Sequence, residues 1–196
     1  ISTATLISTT QLTEPGETDA TFSFLPHAIE FKPDGTRMFV VRNTGTLVYQ
    51  YDLSTAWDVS TISFSTKYDV SDENQLRSLT FKPDGSRMYV TGNENEKIKE
   101  YSLSTPWDIT TSNVTHVRDS VALTSTDNNP RNIQFSKEGT EFYYAGNGSN
   151  NMHKFTLSTA WDVSTLSSSA TTFDLGDRVA NTVSYTHLRA HETTCD

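Results

Sequence analysis

One cysteine, Cys195, stands in the 196 residues, which excludes an internal disulfide framework and any metal centre built on cysteine. No apolar run is long enough to cross a bilayer as a helix, so no membrane insertion is expected. Positive charge is scarce: 15 Lys and Arg against 24 Asp and Glu leave a net charge of -9. A surface of that sign repels nucleic acid and anionic membrane, and neither is expected as a partner. The usual signatures of catalysis are missing as well. There is no Gly-x-Ser-x-Gly elbow, no phosphate-binding glycine loop and no His-Glu-x-x-His helix. Oxygen-rich stretches at residues 72–74, 94–96 and 127–129 offer ligands for calcium but lack EF-hand spacing, so no metal site or cofactor is assigned.

What the chain does have is repetition. Residues 31–60, FKPDGTRMFVVRNTGTLVYQYDLSTAWDVS, return from Phe81 and again, more diverged, from Phe135. Phe31, Phe81 and Phe135 are 50 and 54 residues apart, and Trp57, Trp107 and Trp161 repeat those spacings. A period near 50 residues is that of a propeller blade or a similar modular unit.

Each unit reads as four strands. The first ends at Phe31, Phe81 or Phe135 and is followed by Lys-Pro-Asp-Gly or, in the third copy, Ser136-Lys137-Glu138-Gly139. Proline and glycine at those places predict a tight hairpin. The second strand is apolar at consecutive positions (Met38, Phe39 and Val40 in the first copy), as for a sheet covered on both faces. The third strand keeps Tyr51, Tyr101 and Phe155 but turns polar at Gln50, Glu100 and Lys154, which places it further from the packed centre. Thr55-Ala56-Trp57-Asp58 and its copies have the form of a capping box opening one helical turn, with Pro106 at its first position. The fourth strand is the most polar, as befits an outer edge. Asn43, Asn93 and Asn147 recur in the loop after the second strand, where a turn with positive φ is expected.

The expected fold is therefore all-β: a β-propeller fragment of about three four-stranded blades. The units span residues 26–75, 76–129 and 130–182. Residues 1–25 match the end of a preceding blade, so the chain is expected to start inside a repeat and to lack blades needed for a ring. Residues 183–196 contain VSYTHLRAHET, which looks like a translated sequencing adapter and is set aside as a non-native tail; His187, His191, Glu192 and Cys195 fall within it.

Candidate site residues come from what the repeats do not copy. His27, Arg77 and Arg131 precede the first strand in all three units and are basic within an acidic chain. Pointing inward they would form donors for a carboxylate, phosphate or acidic sugar; pairing with Asp72, Glu73 or Asp127 in their own loops is the plainer alternative. Glu30 is the one acid on a first strand, where the other copies have Thr80 and Gln134, and reads as a general base or metal ligand or, more plainly, as a solvated or hydrogen-bonded strand residue. Asn43, Asn93 and Asn147 complete the ligand-binding candidates. His116 and His153 read as surface histidines.

The paired motifs resemble repeats of large propeller-bearing proteins of marine bacteria and their phages, which implies a cell surface, extracellular or virion location. More distantly, Pro26-His27…Pro33-Asp34-Gly35 and Pro130-Arg131…Gly139 resemble segments of seven-bladed lactonase-type propellers. That second resemblance implies hydrolysis of sugar lactones, with His27, Arg131 and Glu30 as the residues to test. Repeat regularity and the missing catalytic constellation favour a non-catalytic binding or scaffold module, its mouth loops taking a glycan, another small anionic molecule or a protein. The lactonase-like hydrolase is the alternative, and a structural spacer is the third reading.

Overall fold

The computed structural model describes residues 12, 26–42, 45–71, 73, 75–93, 96–123, 130–146, 149 and 151–175. They form three four-stranded antiparallel sheets, each a meander of consecutive strands. The first holds β1 (Pro26–Phe31), β2 (Arg37–Arg42), β3 (Leu47–Leu53) and β4 (Ile62–Asp69). The second holds β5 (Leu76–Phe81), β6 (Arg87–Gly92), β7 (Ile98–Leu103) and β8 (Val114–Asp119). The third holds β9 (Pro130–Phe135), β10 (Glu141–Gly146), β11 (Asn151–Thr156) and β12 (Thr171–Asp174). Strands β1, β5 and β9 lie side by side across the sheets, and Ser78 Oγ accepts from the Ile133 N–H at 3.1 Å. These are blades of a β-propeller around a common inner edge.

The two-sided apolar pattern of the second strands follows from this stacking. Phe39 and Val41 pack with Leu79, Phe81, Met88 and Val90 between the first and second sheets, while Tyr89 packs with Phe135, Phe142 and Tyr144 between the second and third. The other face of the first sheet, Met38, Val40 and Tyr51, is covered in part by Leu12. Each such buried side chain contributes about 1.5–3 kcal/mol. The remainder of residues 1–25, and the tail 183–196, lie outside the described residues.

Local chemistry joins hairpin and tryptophan into one device. Gly35, Gly85 and Gly139 take φ of 73°, 73° and 69°, the left-handed region that glycine enters without a Cβ penalty. A methyl group at any of them would collide with the ring of Trp57, Trp107 or Trp161. Each tryptophan's backbone N–H donates to that glycine's carbonyl, at 3.0, 3.0 and 2.9 Å. The tryptophans themselves hold positive φ, 62–65°, which corrects the expected capping box. A residue in that conformation does not start a right-handed helix. The helical turn begins two residues later as a 3-10 turn, Val59–Thr61 or Val163–Thr165, and Asp58 or Asp162 is its N-cap, accepting from Ser60 or Ser164 N–H. In the middle copy the turn is displaced to Thr111–Asn113, and Pro106 lies before it.

A second correction concerns the third strands. Gln50 and Glu100 are buried, because they act at the joints between blades. Gln50 Oε1 accepts from the Ile109 N–H at 3.0 Å, and Glu100 Oε2 from the Val163 N–H at 3.3 Å. The matching tryptophan carbonyls are held too: Arg37 donates to Trp107 O at 2.7 Å, and the Tyr89 hydroxyl to Trp161 O at 2.8 Å. Arg118 closes the second joint on Asp162 and Glu100. Thus the middle strands of the first and second blades grip the Trp-Asp turn of the blade that follows. His153 departs from expectation in the same way. It is buried on β11, its ring 4.9 Å from Tyr144 and Nδ1 3.1 Å from the Thr172 hydroxyl. His116 stays on the outer strand beside Asp119, at 2.8 Å.

Candidate functional site

The start of every inner strand carries the same irregularity. Pairing shifts between Pro26 and Ala28 against β2, between Leu76 and Ser78 against β6, and at Ala145/Gly146 opposite β9. His27, Arg77 and Arg131 are the residues passed over by these shifts. A bulge leaves its extra residue unpaired and turns its side chain away from the regular alternation. Three basic residues in equivalent bulges on adjacent strands are thereby brought together at one end of the inner edge.

Their electrostatics show the proximity. Arg77 Nη1 lies 3.3 Å from His27 Nδ1, and Arg77 Nη2 donates to Gln75 Oε1 at 2.7 Å. The same Nη1 lies 3.5 Å from His27 Nε2; arginine can only donate, so the contact suits the neutral imidazole, which carries a lone pair to accept. Burial first, then the charges of Arg77 and Arg131, hold the imidazole below its usual pKa of 6.5, against a hydrogen bond with the Leu76 backbone. His27 is therefore held toward its uncharged form between Arg77 and the Leu76 backbone. Arg77 is itself shifted down by burial and by Arg131. Arg77 is buried and Arg131 exposed, so the cluster grades from an anchored guanidinium to a free-standing one. Like charges held this close gain from an anion between them.

The other expected residues divide. Glu73 is buried against Gly92, where an added methyl would strike its carboxylate; Asp72 and Asp127 lie outside the described residues, as do Asn43 and Asn147. Asn93 is described: its N–H donates to Gln75 O at 3.1 Å. It has no positive φ. In these loops that conformation falls instead on Gly45 (98°) and Glu96 (50°), among the described residues. Glu30 does not join the basic cluster. It sits three residues further along β1, roughly 10 Å at strand rise, in a cavity with Thr80 and Gln134 near the hairpin end. Burial alone pushes its carboxyl up to about 7. The bulges are what the sequence did not announce, because an extra residue in a short strand leaves the apolar alternation almost unchanged. No group of three or more His, Cys, Asp or Glu able to hold a metal occurs among the described residues.

The profile of the family described as "Lactonase, 7-bladed beta-propeller" matches residues 2–173. Among solved structures, the periplasmic gluconolactonase PpgL of Pseudomonas aeruginosa is similar with a TM-score of 0.56 at 14% identity, over 77% of this chain and 40% of that one. A protein from Lactobacillus plantarum gives 0.54 at 23% identity, over 72% and 40%. A "putative 6-phosphogluconolactonase" from Bacteroides fragilis gives 0.53 at 17%, over 72% and 37%. At these identities the structural likeness establishes the fold. This chain spans well under half the length of each of those neighbours. A search of curated proteins found no match.

Proposed function

The chain belongs to the seven-bladed β-propeller lactonase family, and from that premise we propose that it supplies the anion-binding part of a site that hydrolyses sugar lactones. One observation carries the reading: Arg77, Arg131 and His27 converge in equivalent bulges at one end of the inner strands. Ring opening of a lactone passes through a tetrahedral oxyanion, and positively charged donors aimed at that oxygen stabilise it more than the neutral carbonyl. Arg131, exposed at the mouth, meets the substrate. Arg77 lies behind it, and His27 is a positioning residue that keeps Arg77 turned to the cluster.

Water adds to the lactone carbonyl, the C–O bond of the ring breaks, and the released alkoxide takes a proton, giving the hydroxy acid. The described residues furnish the electrophilic half of this step. The family's ring has seven blades against the three sheets described, and in this proposal the base that deprotonates water comes from a further blade.

The gluconolactonase and 6-phosphogluconolactonase names among the structural neighbours support this hydrolase above the non-catalytic module expected from the sequence. The test is hydrolysis of a panel of sugar lactones, followed by acid release, with this chain in a complete ring. Arg131→Ala is expected to lower kcat/KM by about 100-fold, the scale of a lost oxyanion donor. Binding of the sugar acids without any turnover would return the protein to the non-catalytic binding class.

A further inference from the structure

The opposite end of the inner strands holds a second set of polar groups. A cavity of about 330 Å³ opens there beside the hairpins, lined by Glu30, Thr80 and Gln134 from β1, β5 and β9 and by Lys137 from the third hairpin. Its volume is at the small end of the ligand-site range. Among the described residues, none hydrogen-bonds or ion-pairs with the side chains of Glu30, Thr80, Gln134 or Lys137. For the buried Thr80 and the partly buried Glu30 this contrasts with Gln50 and Glu100 of the next layer, which are spent on the blade joints. Four polar side chains thus line one small space, Thr80 buried and Glu30 partly buried within it, Gln134 and Lys137 exposed at its opening.

The repeat sharpens the point. Glu30, Thr80 and Gln134 occupy the same place in three units, immediately before the copied Phe31, Phe81 and Phe135. Blade construction needs the phenylalanine and keeps it; it places no demand on the residue before, which has diverged to three different hydrogen-bonding groups. Pro33 and Pro83 supply apolar walls, and Trp107 and Trp161 also line the cavity. Because burial lifts the Glu30 carboxyl to about 7, it both donates and accepts near neutral pH.

We propose that this hairpin-end cavity is a second binding site, separate from the basic mouth, for an uncharged polyhydroxylated ligand of monosaccharide size. A sugar offers adjacent hydroxyls, each donor and acceptor, which match a carboxyl, a hydroxyl, an amide and an ammonium. Its C–H faces suit the proline and aromatic walls. A sugar acid would instead favour the arginine cluster at the other end, and a neutral sugar without a lactone carbonyl offers that cluster neither a carboxylate nor a developing oxyanion.

The site is tested on the whole chain by titrating methyl glucoside and myo-inositol, with gluconate as the acidic comparison. Binding is followed by tryptophan fluorescence, since two of the three tryptophans line the cavity, and by ligand-observed NMR. A saturable signal in the millimolar range is expected with at least one neutral probe. Glu30→Ala with Gln134→Ala should weaken it at least about tenfold, Glu30→Gln should keep it, and Arg131→Ala should leave it unchanged. No saturable signal from either neutral probe, a signal indifferent to the double substitution, or one abolished by Arg131→Ala would overturn the assignment. Because the readout is binding and Glu30 has no part in the proposed lactone chemistry, failure here leaves that reading standing, and the reverse also holds.

Discussion

Glu30 and His27 show how position on one strand decides chemistry. Both are ionisable residues of β1, yet burial raises the carboxyl and lowers the imidazole, so each is driven toward its uncharged form. For Glu30 the folded pKa of about 7 exceeds the ordinary 4.5. Between these values the native state binds the extra proton, and stability falls as pH rises through the window. The loss is of order 3 kcal/mol at most. Thermal unfolding of the chain should therefore show Tm declining from pH 5 to pH 8, and Glu30→Gln should flatten that slope; equal slopes in both proteins would refute the assignment. For His27 the sign is opposite. Its stabilising neutral form persists below pH 6.5 and is lost only in more acid solution, so the pH profile of lactone hydrolysis should keep its plateau below that value. His27→Ala should lower activity without moving this limb if the histidine merely fills space, and remove the limb if it positions Arg77. The sequence singled out both residues, since each broke the repeat at an inner strand. It grouped them together because three positions of strand look like proximity on paper; the bulge and the length of the channel set them apart.

At the scale of the element, the hairpin and the Trp-Asp turn are one folding unit. Gly85→Ala adds a Cβ both to a positive φ and to the space of the Trp107 ring, and should cost about 2 kcal/mol or more, read from urea unfolding. Trp107, only 7% exposed, should cost about 3–5 kcal/mol when replaced by alanine. Trp57 has the same neighbours in its own blade but is 59% exposed, and its replacement should cost about 1 kcal/mol or less. Equal costs at the two tryptophans would show that packing between blades contributes nothing. The joint gives a further test. Gln50→Ala strands the Ile109 N–H, a loss of about 1–3 kcal/mol that Gln50→Glu should largely avoid, since Glu100 serves the same role one blade on. Strand order, the hairpins and the two-sided second strands were legible because period and turn chemistry are local. The joints were not. A polar residue on a third strand reads as solvated until the backbone donor of another blade, some 60 residues away, is brought to it.

Across the whole molecule, the acidic net charge of -9 makes the basic inner end an exception and therefore a marker. The fold was readable from the threefold repeat, because copies of a blade admit few other arrangements. Function was less so: the residues that would bind substrate are those that vary between copies, and variation alone does not separate a site from drift. Family membership and the meeting of Arg77 with His27 support the proposed hydrolase over a passive module. The most direct test is the opening of δ-gluconolactone by the complete ring, corrected for spontaneous hydrolysis, with Arg131 intact and replaced by alanine. Turnover that falls about 100-fold on replacement is the expected result; opening at the spontaneous rate with Arg131 intact, or turnover indifferent to its loss, would contradict it.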